Sequence, residues 1–335
     1  MFQFAYRRFS LPFRHPVRTA HGVWAEREGL LLRLENESGT VRFGEVAPIS
    51  WFGTEVVDEA EELCRGFDEQ VTREILVSVP ARFACLRFAL SSALGEQDLN
   101  DFENKKALPI AALLPAGRAA LPLITPKAEA GFRTFKWKVG VADIADELLL
   151  LDDLIAKLPN GAKLRLDANG AWDRRHAERW LDRCAERPVE FIEQPIAADA
   201  KGAQDSLLGL AGDFPTPIAL DESIASSGDV GRWLDLGWPG VFVLKPALLG
   251  DAAAAITRLR VAKAPVVFSS ALETAVGAKA ALRLAFAFEG EPRALGFGVW
   301  PLFLDQRFDG PYLAPFIRPQ DVAAINEEAV WNALS

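Results

Sequence analysis

The feature that most constrains this chain is a short apolar run that returns eight times beyond residue 108. The runs are "IAALLP" (110–115), "FKWKV" (135–139), "LRLDAN" (164–169), "FIEQP" (191–195), "PIALDE" (217–222), "VFVLKP" (241–246), "VVFSSA" (266–271) and "LGFGV" (295–299). They recur roughly every 25 residues. The segments between them, such as "ADELLLLDDLIAKL" and "RRHAERWLDRCAE", carry the apolar period of an amphipathic helix. Eight strand–helix units predict an α/β fold, a (β/α)8-like TIM barrel that is compact for its class. An open doubly wound sheet is the alternative, but no G-x-G-x-x-G follows any of the runs.

The first hundred residues read differently. "GLLLRLENESGTVRFGEVAP" (29–48) is two strand-like runs around the turn signal "NESG", which predicts a hairpin. Helical patterns follow at 54–68 and 80–95, the second starting at Pro80 and stopping at Gly95. Strands followed by helices predict a small N-terminal α+β capping domain over 1–100. The polar stretch "EQDLNDFENKKALP" separates it from a barrel over 108–300, and 301–335 is expected to return to the cap.

The net charge of −9, with acids and bases interspersed, argues against nucleic acid and anionic membranes as partners. Three widely spaced cysteines without a C-x-x-C argue against a disulfide framework or a zinc site. The N-terminus has no apolar core before a small-residue cleavage site, and no apolar run approaches the roughly 18 residues of a spanning helix. A soluble cytoplasmic protein is expected, a monomer or weak homo-oligomer.

Within the runs, charge sits where a buried strand should not carry it. Lys136 and Lys138 share one face of their strand, with Trp137 on the other. Arg165, Asp167 and Asn169 share a face of the third run. Glu193, Asp221 and Lys245 end the fourth, fifth and sixth runs, and Ser269 and Ser270 end the seventh. In a barrel of this kind those ends form one mouth, where the chemistry lies. Taken singly, each motif has an ordinary reading: "K-x-K" as an edge strand, "DANG" as a turn, "DES" as a helix cap. Together and in order they are harder to explain structurally, because buried charges must be paired or coordinated.

Asp167, Glu193 and Asp221 form a trio of oxygen ligands without His or Cys, which suits Mg²⁺ or Mn²⁺. Such a metal leaves positions for a substrate carboxylate. It would stabilise the negative charge that appears when a proton leaves the adjoining carbon. A lysine near a dication and a second ammonium has its neutral form favoured and can serve as the base.

These residues resemble the enolase superfamily, specifically its muconate-lactonising-type subgroup with Lys-x-Lys on one strand and a further lysine four strands on. A lysine base and a Mg²⁺-stabilised ene-diolate are general features of that superfamily. Within the subgroup the chain looks most like the o-succinylbenzoate synthase family of menaquinone or phylloquinone biosynthesis. "TAHGVWAEREGLLLRL", "GEVAPISWFGTE", "ALLP", "FKWKVG", "LRLDANGAW", "FIEQP", "LDES", "VLKPALLG" and "FSSALETAVG" carry the likeness, over nearly the whole chain. The resemblance implies a modified (β/α)7β barrel and a Mg²⁺-dependent lyase, with Mn²⁺ as a substitute. The reaction would be syn-elimination of water from a small cyclohexadiene carboxylate. Asp167, Glu193 and Asp221 would hold the metal. Lys138 would be the acid–base residue, Lys245 would stabilise the enediolate from the opposite face, and Lys136 would add charge beside the substrate carboxylate. Arg165, Ser269 and Ser270 would contact substrate, and cap loops at 14–24 and 50–54 would close the site.

The nearest alternatives are dipeptide epimerases and N-acylamino-acid racemases, which keep the same metal and lysines. Epimerases of the superfamily place an Asp-x-Asp after the eighth strand, whereas this chain reads "LGFGVWPLFLDQRF", apolar until Asp305. A muconate cycloisomerase fits the cap sequence less well. A Schiff-base aldolase would use a barrel lysine but leaves the acidic trio without a purpose, as does a barrel that only binds a ligand. His15, His21 and His176 are read as structural or surface residues, with His21 lying in the cap loop at 14–24. Among the aromatic residues Trp51 stands out as a site candidate.

Overall fold

The computed structural model describes residues 1–19, 22–96, 102–290, 293–312 and 314–334. His21 and the middle of the polar separator lie outside them. The chain opens with two long strands, β1 (Phe2–Thr19) and β2 (Gly22–Asn36), followed by β3 (Val41–Val46). Then come α1 (Val57–Arg65), β4 (Gln70–Val71), α2 (Arg73–Val77) and α3 (Ala84–Ala93). The four strands form an antiparallel sheet in the order β3-β2-β1-β4.

The β2–β3 turn follows from Asn36, whose Oδ1 accepts the amides of Ser38 (3.0 Å) and Thr40 (2.9 Å). On β1, Phe9, Leu11 and Phe13 are all buried, alternating as one face of a strand demands. The β1–β2 register shifts between Pro12 and Val17. The segment expected to be a loop at 14–24 is therefore, as far as it is described, the far end of this hairpin. The second cap helix starts at Ala84, not Pro80; Pro80 instead accepts the Phe83 amide in a turn. Gly44 lets α3 lie directly on β3, because a Cβ there would run into the backbone of Ala89.

Beyond the cap, β5 (Leu108–Pro109) leads into β6 (Ala112–Leu114) and α4 (Leu121–Glu129). The alternation then continues with β7 (Thr134–Lys138), α5 (Ile144–Lys157), β8 (Lys163–Asp167), α6 (Arg174–Cys184), β9 (Val189–Glu193) and α7 (Ala203–Asp213). It ends with β10 (Ile218–Leu220), α8 (Ser227–Asp235), β11 (Val241–Leu244), α9 (Ala252–Val261), β12 (Val266–Phe268) and α10 (Ala275–Ala287). Strands β6 to β12 form one parallel sheet in sequence order. The eighth run forms no full strand. Leu295 bridges Ile110 and Gly296 bridges Ser269, both in parallel, which joins the two edges of the sheet. The result is the (β/α)7β barrel with an antiparallel cap.

Asp143, Asp173, Ser226, Asp251 and Thr274 each cap a barrel helix through their side chains, contacts each worth about 1 kcal/mol. The layer between strands and helices is apolar. Trp137 on β7 and Trp180 on α6 are both fully buried and meet edge to face at 6.3 Å. The chain ends with β13 (Phe316–Ile317), which pairs with β5, then α11 (Pro319–Ala323) and α12 (Glu327–Asn332). On α12 the Trp331 carbonyl accepts from Arg7 Nη1 (2.6 Å), and its ring packs on Phe43. No helix among the described residues is long and apolar enough to cross a membrane.

Candidate active site

Strand register brings the charged residues together. Lys138 on β7 is the register partner of Asp167 on β8, and Asp167 is the partner of Glu193 on β9. Glu193 pairs with Ala219 on β10, and Asp221 stands two residues further along. The three carboxylates therefore line consecutive strand ends. β7 and β11 are four places apart in a ring closed by the 295–296 bridges. Lys138 and Lys245 consequently stand on opposite walls, with the acids along the arc between them.

Gln194 fixes the ends of two of these strands. Fully buried, it donates from Nε2 to the Ile196 carbonyl (2.8 Å) and Ser223 Oγ (2.9 Å). Its Oε1 accepts the amides of Asp221 (3.0 Å) and Ser223 (3.1 Å). This bracket ties the residue after Glu193 to the backbone of Asp221.

The side chains surround a cavity of about 370 Å³, lined by Lys136, Lys138, Asp167, Asp221, Lys245 and both serines, among others. The Lys136 ammonium lies 2.8 Å from Asp167 Oδ2 and 2.6 Å from Glu193 Oε1. Lys245 pairs with Asp221. Burial opposes the charge on Lys136, but Asp167, Glu193 and Asp221 outweigh it and hold the ammonium well above the ordinary lysine range. Burial pushes Glu193 up to about 8, reinforced by Asp167 and Asp221 and opposed by Lys136. Among the described residues, no three His, Cys, Asp or Glu side chains form a ready-made metal shell. The trio closes on lysine ammoniums instead.

Ser269 and Ser270 reach the cavity, and each hydroxyl already has an acceptor. Ser269 Oγ donates to the Gly296 carbonyl (3.3 Å) and Ser270 Oγ to Glu273 Oε2 (3.0 Å). Arg165 is not brought there. It points inward one alternation deeper than Asp167, is 1% exposed, and does not line the cavity. Its Nε donates to Glu190 Oε2 (2.7 Å) and its Nη1 to the Ala294 carbonyl (2.7 Å), with the guanidinium over the Phe191 ring. Burial opposes ionisation of Glu190, but Arg165 outweighs it and holds the carboxyl below the usual range. The expected substrate contact is thus replaced by a buried ion pair in the barrel interior.

The cap supplies the apolar roof. Trp24 and Trp51 line the cavity and meet edge to face at 4.8 Å. The Phe52 ring lies 4.5 Å from Lys245 Nζ, a cation–π contact. Trp24 and Phe52 fall within the cap segments 14–24 and 50–54 expected to close the site, although apolar periodicity alone does not single them out. Glu222 was missed. It lines the same cavity and accepts from Asn169 Nδ2 (3.0 Å). Burial, then the charge of Asp221, pushes it up to about 7. Strict alternation from Asp221 would put it on the opposite face, but β10 ends at Leu220 and the pleat ends with it. His176 is a surface residue that pairs with Asp173 at the start of α6, and His15 is exposed.

Comparison with known proteins agrees with this geometry. The family described as "Enolase C-terminal domain-like" matches residues 124–314. An o-succinylbenzoate synthase of Thermosynechococcus vestitus is 42% identical over 300 residues, covering 88% of this chain and 91% of the relative. A crystal structure of o-succinylbenzoate synthase from Thermosynechococcus elongatus, complexed with Mg in its active site, superposes with a TM-score of 0.86. It shares 37% identity and covers 99% of both chains. A hydrophobic dipeptide epimerase of Roseobacter litoralis is more distant, 29% identical over 68% of this chain and 71% of its own.

Proposed function

The chain belongs to the o-succinylbenzoate synthase family of the enolase superfamily, and from that premise we propose how its residues act. The reaction is loss of water from 2-succinyl-6-hydroxy-2,4-cyclohexadiene-1-carboxylate to give 2-succinylbenzoate, a carbon–oxygen lyase reaction. The observation that carries the reading is the arrangement of Lys138 and Lys245 on opposite walls, with three carboxylates on the strand ends between them.

The donor set fits a hard dication. Asp167, Glu193 and Asp221 offer only oxygen, and an ammonium already bridges two of them, so a cation is accommodated there. These three would hold Mg²⁺, with Mn²⁺ as a substitute. Bound there, the metal would supply positive charge to the substrate carboxylate as a second negative charge develops beside it.

Lys138 removes the proton α to the ring carboxylate, and that C–H electron pair moves into the enediolate. Lys245 stands across the ring and offsets the new charge. Lys136, freed from the acids, adds positive charge near the carboxylate. As the enediolate collapses, the C–O bond breaks on the face of Lys138, which returns its proton to the departing hydroxide. Water leaves and the ring becomes aromatic. The apolar roof of Trp24, Trp51 and Phe52 keeps bulk water from the carbanion. Addition of the cyclohexadiene substrate with Mg²⁺ should produce aromatisation visible by absorbance, and no product at any metal concentration would refute the reading.

A further inference from the structure

A second polar seam, separate from the acidic trio, runs between cap and barrel. Arg27 on β2 is 1% exposed, and its Nε, Nη1 and Nη2 each donate to backbone carbonyls. Nη1 reaches Pro48 (2.6 Å) and Glu28 (3.2 Å) in the cap. Nε reaches Leu272 (3.1 Å) and Nη2 reaches Ala271 (3.4 Å) in the barrel. Glu45 on β3, also 1% exposed, accepts the amides of Thr274 (2.9 Å) and Gly277 (2.8 Å) and the Thr274 hydroxyl. The cap thus grips residues 271–277 with a cation on carbonyls and an anion on amides. Glu273, fully buried between them, accepts the Ser270 hydroxyl and the Ala271 amide.

Two features bear on what this grip does. Removing a guanidinium and two carboxylates from water carries a desolvation penalty that an apolar seam avoids. And Leu272, in the middle of the gripped segment, has φ 59°. A left-handed leucine is strained and persists only where its surroundings impose it. Leu272 and Ser270 both line the substrate cavity.

We propose that Arg27 and Glu45 are positioning residues: from the cap they hold the barrel loop 269–274 in its strained form, so that Ser270 and Leu272 take their places in the substrate pocket only when the cap is seated. The consequence for recognition rests on the dehydratase reading of that pocket. The Ser270 proton is turned to Glu273 and its oxygen accepts the Leu272 amide (2.9 Å). The Ser270 proton is therefore committed within the loop and is not offered to the pocket.

The test compares Arg27→Met, Arg27→Lys and Glu45→Gln in the full chain with Mg²⁺ and the cyclohexadiene substrate. Arg27→Met should raise KM at least about tenfold while kcat changes less than about threefold, and Arg27→Lys, which keeps a donor, should recover part of the loss. Glu45→Gln should shift KM in the same direction by a smaller factor, which serves if Arg27→Met does not fold. A merely structural seam would lower the folded fraction and kcat in proportion and leave KM alone, and that result in both Arg27→Met and Glu45→Gln overturns the proposal. Hydrogen exchange reads the grip without any substrate. The amides of Ala271 and Thr274 should exchange at least about tenfold faster in Arg27→Met or Glu45→Gln while those of α5 are unchanged. Unaltered exchange contradicts the proposal, whatever reaction the pocket performs.

Discussion

The ammonium of Lys136 lies 2.6 Å from Oε1 of Glu193, and the same ammonium lies 2.8 Å from Asp167 Oδ2. One half-buried cation thus balances the buried Glu193 and the half-buried Asp167. Breaking such a pair from one side leaves uncompensated charge, at about 3–5 kcal/mol. Lys136→Met should lower stability by that order in chelator, measured by urea denaturation. Saturating Mg²⁺ should restore part of the loss, because a ligand of the folded state stabilises it by mass action. Equal stability of Lys136→Met and wild type in chelator would contradict the pairing.

Asp167→Asn, Glu193→Gln and Asp221→Asn each exchange an anionic ligand for a neutral amide and should each remove most of the activity with the fold intact. Chelator should abolish turnover, and Mg²⁺ or Mn²⁺ should restore it. Turnover that persists in chelator would remove the metal from the account.

Substrate choice follows from the segment after the eighth run. Phe297, Trp300 and Phe303 are buried in the core, and Gly296 and Val299 line the cavity. Asp305 is engaged on the surface by Arg307. No carboxylate from 295–305 lines the cavity, so a peptide ammonium meets no counter-charge from this segment. Common dipeptides in heavy water should show no exchange of the α-proton by NMR. Rapid exchange with an Ala- or Leu-containing dipeptide, without dehydration activity, would favour an epimerase.

The seam also predicts a pH dependence of stability. Burial first, then the charge of Glu45, pushes Glu273 up to about 7 from an ordinary 4.5, against hydrogen bonds from Ser270 and Ala271. The folded state thus binds this proton more tightly than the unfolded chain. The contribution is complete below the unfolded value and is lost as pH rises through about 7, on the order of 3 kcal/mol in all. Glu273→Gln should flatten the decline in unfolding free energy between about pH 4.5 and 7. An unchanged slope in that variant would place the titration elsewhere.

Much of this was legible in the sequence, because it is local. Seven of the eight apolar runs are strands, and inward alternation placed Lys136, Lys138 and Asp167 correctly along theirs. The eighth is reduced to bridges where Gly296 passes Ser269, with no room for a side chain. β1 is not among the elements expected from the sequence, although Phe9, Leu11 and Phe13 alternate with the period of a strand. What the sequence could not show is pairing at long range. Arg165 meets Glu190 and Ala294, and Arg27 meets Leu272 across 245 residues. No spacing rule encodes such contacts, since they depend on how the closed barrel and the cap come together.

The most direct test of the account is kcat/KM for dehydration in Lys138→Arg, with circular dichroism to confirm folding. Arginine keeps the charge but stays protonated at any working pH, so it cannot take the α-proton. General base catalysis alone is worth roughly 10²–10⁴-fold, and the folded variant should lose at least that much. Lys245→Arg, which keeps a cation on the enediolate face, should retain more activity. A folded Lys138→Arg enzyme with near-normal kcat/KM would show that another residue is the base.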